Sequence, residues 1–232
     1  MKLSNPQPRV SQRTLIWDVH TRLFHWTLVL LFTGLLVTGL GEDLDWMVWH
    51  QRFGYCMLGL LMFRLLTGIW GSDYGNFGRF PLRPSDARAY LAGQFNRPGH
   101  NPLGSWMILL MLLVLAVQTF SGLLTSDDIF VEGPWVYWAD EDWVALASFI
   151  HANNWIVIAV LVSLHLLAVL AYLLIKRQNL IQPMLSGYVN TDAADLLQPA
   201  IDNRQAVTPR WRLAAALLVA ALTTWALIEL PG

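Results

Sequence analysis

The chain reads as an all-α membrane protein: a bundle of four transmembrane helices, followed by a fifth at the C-terminus. Three observations predict this. Of its 232 residues, 55% are hydrophobic and only 13% charged, too apolar a balance for a soluble domain of this length. Five stretches approach the roughly 20 apolar residues that cross a hydrocarbon core: 22–41, 50–70, 103–124, 152–175 and 211–230. Twelve tryptophans suit the interfacial belts of such a protein.

The elements follow in order. Residues 1–14 form a polar N-terminal tail with no apolar run before a small-residue cleavage site, so no signal peptide is expected. The first and second spans are the least continuous, because polar residues and glycines interrupt them. Glycines at 34, 39, 41, 54, 59, 68 and 71 either let helices pack closely or leave room for a flat cofactor. Residues 42–49 and 125–149 read as outer loops, the second rich in Trp, Asp and Glu. Residues 71–102 form an inner loop full of Gly, Pro and Arg. Its end, "RPGHNPLG", offers Asn101 as an N-cap and Pro102 at the first helical turn. Residues 15–177 thus make a four-span core, 178–210 a polar linker, and 211–232 a simple apolar last helix.

Charge sets the orientation. With the N-terminus inside, Lys2, Arg9, Arg13, Arg22, Arg79, Arg83, Arg88, Arg97, Lys176, Arg177, Arg204, Arg210 and Arg212 are cytoplasmic, all but two of the fifteen basic residues. The opposite side carries Glu42, Asp43, Asp45, Asp127, Asp128, Glu132, Asp140, Glu141, Asp142 and Glu229 without a Lys or Arg. The positive-inside rule then places the N-terminus in the cytoplasm and the C-terminus outside. The acidic outer face suits a basic partner. The single cysteine, Cys56, excludes an intrachain disulfide, a thiolate metal cluster and covalently attached c-type haem. It reads as a small buried hydrophobe.

Six histidines remain. In "HANNWIVIAVLVSLH", His151 and His165 lie fourteen residues apart, a rotation of about 320° and a rise of about 21 Å. They share a helix face at two depths. His50, opening the second span, matches the outer depth; His25, near the start of the first, matches the inner. Two imidazoles facing each other at each level suit the axial positions of a six-coordinate b-type haem. Zinc or copper would want three or four converging donors. Arg52 beside His50, Arg64 fourteen residues further on, and Arg22 three before His25 are candidate partners for haem propionates. Snorkelling, or pairing with a local acid such as Asp18, is the alternative. His20 is expected to face the cytoplasm. His100 is expected to be structural, with a role near the inner haem or a quinone as the alternative.

The pattern "WDxxTRxFHW" (17–26), the histidine opening the second span, "GHNPLGSWM" (99–107), "SGLLTSDD" (121–128) and His-x13-His in the fourth span resemble bacterial cytochromes b561. They are most similar to the b-type cytochrome subunit of nickel–iron hydrogenases. The resemblance spans residues 15–177. It implies a dihaem cytochrome b of the bacterial inner membrane, with His25, His50, His151 and His165 as axial ligands. It also implies electron transfer, in a respiratory chain, between the quinone pool and a redox partner: a hydrogenase, a dehydrogenase or a c-type cytochrome. The chain would then be an electron-transfer subunit of an oxidoreductase complex, with lipid and quinone as further partners and no nucleic acid. Self-association into a homo-oligomer is left open. Bis-histidine ligation leaves no open iron position, which favours relay over oxygen chemistry. Two competing readings remain. Some b561 relatives oxidise superoxide and pass the electron to quinone, but that favours a cationic outer rim. A transporter or structural anchor would carry no haem, and the scarcity of acidic residues within the spans disfavours a proton pump.

Overall fold

The structure is a computed structural model, and it describes residues 12–41, 44–71, 74–95, 100–191 and 208–229. The charges expected at Lys2, Arg9, Glu42, Asp43, Arg97 and Arg204, most of the N-terminal tail, and linker residues 192–207 lie outside the described residues. A short strand β1 (Gln12–Leu15) leads into α1 (Val19–Gly39) and α2 (Leu44–Trp70). A short α3 (Pro84–Leu91) precedes α4 (Pro102–Leu123) and α5 (Glu141–Leu174). Then come α6 (Ile181–Ser186), β2 (Tyr188–Thr191) and α7 (Arg210–Glu229). Five of these helices, α1, α2, α4, α5 and α7, are long and apolar enough to cross a membrane.

Local chemistry explains where the helices begin. The Asp18 carboxylate accepts from Thr21 N–H at 3.1 Å and caps α1. Asn101 accepts from Gly104 N–H at 2.7 Å, with Pro102 in the first turn of α4, as the sequence predicts. Two spans start earlier than expected. Residues 42–49 and 125–149 are not wholly loop, because α2 opens at Leu44 and α5 at Glu141. Glu141 and Asp142 stand in the first turn of α5, where acids favour the positive end of the helix dipole. At 34 residues, α5 runs about 51 Å, well beyond a hydrocarbon core of about 30 Å.

The antiparallel helices pair as α1 with α2 and α4 with α5, and α7 lies along α2. Helices α2 and α4 join the two pairs; α1 and α5 share at most a marginal contact. The surface is apolar: Leu30, Leu167 and Leu222 are all exposed, as lipid-facing residues are. Cys56 is exposed on α2 and is not the buried hydrophobe the sequence suggested.

The last helix is integrated rather than appended. Ala216 and Ala220 bury against Phe63, with Met62, Leu66 and Leu213 around them. Small residues there let the α7 backbone approach α2 closely. Arg212 donates to the Trp70 carbonyl at 3.3 Å, and Trp135 Nε1 donates to the Leu227 carbonyl at 2.6 Å. These contacts tie α7 at both ends. Part of the expected linker is also built. β2 pairs antiparallel with β1, Leu15 opposite Tyr188, and Ile16 and Trp17 N–H donate to the Gly187 carbonyl. Gly187 has φ +89°, and a Cβ there would stand 2.7 Å from the Trp17 carbonyl oxygen. Glycine is required on both counts.

Candidate cofactor sites

His50 on α2 and His151 on α5 face each other with ring centroids 6.1 Å apart and planes at 86°. Two metal–nitrogen bonds of about 2 Å each, with a ring behind each nitrogen, need about 6 Å. The outward-facing nitrogens are held. His50 Nδ1 lies 3.1 Å from the Leu35 carbonyl oxygen, and His151 Nδ1 lies 2.9 Å from the Gln118 carbonyl oxygen. A carbonyl only accepts, so each Nδ1 carries the hydrogen. Each Nε2 is then left with a lone pair, the tautomer a metal ligand requires.

Space is made by two glycines. A Cβ on Gly39 would stand 2.6 Å from His50 Cε1, and one on Gly122 would stand 2.8 Å from His151 Cε1. Between the helix pairs lies a cavity of about 400 Å³, lined by His50, His151, Phe32, Leu58, Met57 and Trp155 among others. Asp127 from the following loop also lines it. Backbone N–H groups of Val131, Ile129 and Phe130 hold the Asp127 carboxylate below the usual range.

The second level is less elaborate. His25 on α1 and His165 on α5 are half-buried and within electrostatic range of each other. His25 Nδ1 is buried without a hydrogen-bond partner. Arg22 donates to the Leu185 carbonyl at 2.5 Å, while its Nε is buried and unpartnered. Helix α5 thus carries both His151 and His165, with His50 on α2 and His25 on α1.

The arginines divide. Arg52 is exposed, stacked 5.0 Å over the Trp49 ring, and does not line the cavity. Two residues on from His50 is about 200° around the helix, so adjacency in sequence puts it on the other face. Arg64 is 6% exposed and donates to the Gly75 carbonyl at 3.0 Å. Its guanidinium lies 4.4 Å from the Phe77 ring. His20 does not face the cytoplasm: it is buried, 3.0 Å from Asp18 Oδ2 and 3.4 Å from Thr208 Oγ1. His100 packs against Trp17 at 4.5 Å and Phe80 at 4.8 Å.

Sequence reasoning missed Gln118, Gly122 and the Leu35 carbonyl. Gln118 Nε2 donates to the His151 carbonyl at 3.0 Å, and Asn154 Nδ2 donates to Gln118 Oε1 at 3.0 Å. The signal available was the glycine in "SGLLTSDD", the penultimate residue of α4.

A membrane helix bundle that aims paired, tautomer-fixed imidazoles into an apolar gap defines the class of transmembrane cytochromes b. The family model for prokaryotic cytochrome b561 matches residues 16–187, and the chain belongs to that family. No curated protein and no solved structure matches it. The protein is accordingly a multi-pass membrane cytochrome that transfers electrons across the membrane through haem b. The match ends at Gly187, before β2 and α7. The residues present fit the group: the His50/His151 pair has the axial spacing, the glycine clearance and an apolar gap.

Proposed function

We propose that the chain is a dihaem relay between the quinone pool and a redox partner protein, with His50 and His151 as ligands at one level and His25 and His165 at the other. The 6.1 Å separation of the His50 and His151 rings carries this reading, with both Nδ1 atoms tied back to carbonyls. When bound, the haems would be held by these four histidines and would supply one-electron carriers. The chain supplies the rest. Leu35 and Gln118 carbonyls keep each Nε2 free to ligate, Gly39 and Gly122 keep the rings' places open, and the apolar lining excludes water. Arg22, with its buried unpartnered Nε, is the best-placed counter-charge for a propionate at the His25/His165 level. Arg64 adds buried positive charge to that half of the bundle, while Arg52, on the other face of α2 from His50, would reach a propionate of the His50/His151 level only by leaving the Trp49 ring.

The orientation is N-terminus cytoplasmic and C-terminus periplasmic in a bacterial inner membrane. The acidic loop 124–140 then faces the periplasm, where a basic c-type cytochrome, a hydrogenase or a dehydrogenase would dock. The test uses the purified full chain with bound haem. A short-chain quinol added anaerobically is expected to reduce the haem α-band within seconds. Reduction by dithionite but not by any quinol would remove the quinone from the proposal while leaving the haem ligands intact.

A further inference from the structure

The two ligands of the His50/His151 level sit in cradles of the same design. On α1, the carbonyl of Leu35, the hydroxyl of Thr38 and the missing side chain of Gly39 face His50. On α4, the carbonyl of Gln118, the hydroxyl of Ser121 and the missing side chain of Gly122 face His151. The spacing is identical, in "LLVTG" (35–39) and "QTFSG" (118–122). Thr38 Oγ1 lies 3.2 Å from His50 Nδ1, and Ser121 Oγ lies 3.3 Å from His151 Nδ1. Both residues are buried.

The hydroxyl hydrogens are already committed. Thr38 donates to the Gly34 carbonyl at 2.7 Å, and Ser121 donates to the Gln118 carbonyl at 3.0 Å. What each hydroxyl turns toward its imidazole is therefore a lone pair, a second acceptor beside the carbonyl. Helical Ser and Thr often back-bond merely to satisfy themselves, as Thr33 does to Val29 and Ser163 to Ala159. Thr38 and Ser121 differ in occupying the same register opposite both ligands. At His151 the Gln118 amide is also near, Nε2 3.3 Å from Nδ1, but it is a donor, bonded to the His151 carbonyl, and offers Nδ1–H no lone pair.

We propose that Thr38 and Ser121 are positioning residues that complete a two-acceptor cradle for each Nδ1–H and so lower the reduction potential of this level selectively. The proposal rests on His50 and His151 being haem ligands. Hydrogen bonding from the far ring nitrogen makes the near one a stronger donor, which favours the oxidised iron. The other level has no matching cradle at His25, whose Nδ1 is unpartnered.

The test compares Thr38→Val and Ser121→Ala with Thr38→Ser and Ser121→Thr in the haem-loaded full chain. Haem per chain is measured first; then a spectroelectrochemical titration resolves the components. His151→Ala identifies which component belongs to this level, and a parent that loses no component there contradicts the ligand reading itself. Thr38→Val and Ser121→Ala should keep their haem and shift the reduction equilibrium of that component toward ferrous by about threefold to tenfold. That is about 30–60 mV at 59 mV per tenfold for one electron. The other component should not move, and the conservative variants should restore the parent value. Retained haem with no shift, or an equal shift in both components, overturns the proposal. If Thr38→Val or Ser121→Ala loses that haem, recovery in the matching hydroxyl variant sustains the proposal, and failure to recover overturns it.

Discussion

His50 and His151 are told apart from the other histidines by what stands behind them. Each has a carbonyl at its back and a glycine at its side. Gly122→Leu should therefore drive a side chain into His151, whose Cε1 would be 2.8 Å from the new Cβ, and lower haem toward one per chain. Two haems retained in that variant, by pyridine haemochromogen assay, would show that the glycine is dispensable. The histidines themselves were legible because imidazoles in apolar spans are rare and their spacing fixes depth. The cradles were not, since a backbone carbonyl has no letter in the sequence and the facing register of two helices is a tertiary fact. Arg52 does not line the cavity for a simpler reason: two residues along a helix is the opposite side. His100 lies outside the spans, and burial, then the Arg64 charge, push its imidazole down to about 4. The unfolded chain protonates that ring near 6.5, so between these values the unfolded state binds more protons. Stability should fall as pH drops from about 6.5 to about 4, by up to roughly 3 kcal/mol. His100→Phe should flatten that slope in SDS-unfolding midpoints taken against pH, and an unchanged slope would place the acid sensitivity elsewhere.

Among the elements, α7 departs furthest from its appearance in sequence. Residues 211–230 read as a plain apolar anchor, yet alanines at 216 and 220, 1% and 3% exposed, seat α7 against Phe63 of α2. Helix α2 carries His50, so α7 packs along the helix that positions that imidazole. Ala220→Leu should overpack this seam and cost about 1–3 kcal/mol in SDS unfolding. Leu218→Ala, on the lipid-facing side at 61% exposure, should change little, and equal effects would mean that the seam is not specific. All five spans were legible in composition alone, and their hydrocarbon cores were placed well. The ends were not. Trp, Asp and Glu in 141–149 read as loop, whereas acids at a helix N-terminus extend it. The pairing of β1 with β2 joins residues far apart in sequence, and neither strand carries an alternating pattern long enough to announce it.

At the scale of the whole molecule, the two helix pairs leave a cavity at the His50/His151 level, and α5 carries a histidine at each of two depths. The proposed orientation rests on the basic residues gathered at one end, and labelling tests it. In a Cys56→Ala background, Tyr137→Cys, 87% exposed, should react with a membrane-impermeant maleimide on intact cells, and Arg83→Cys only after permeabilisation. The reverse pattern would invert the topology and move the acidic loop to the cytoplasm. The claim on which the rest depends is that one helix serves two separate bis-histidine levels. Haem b per chain should be two in the parent, one in His151→Ala and one in His165→Ala, each variant losing a different redox component. One haem in the parent, or the same component lost in both variants, would contradict it.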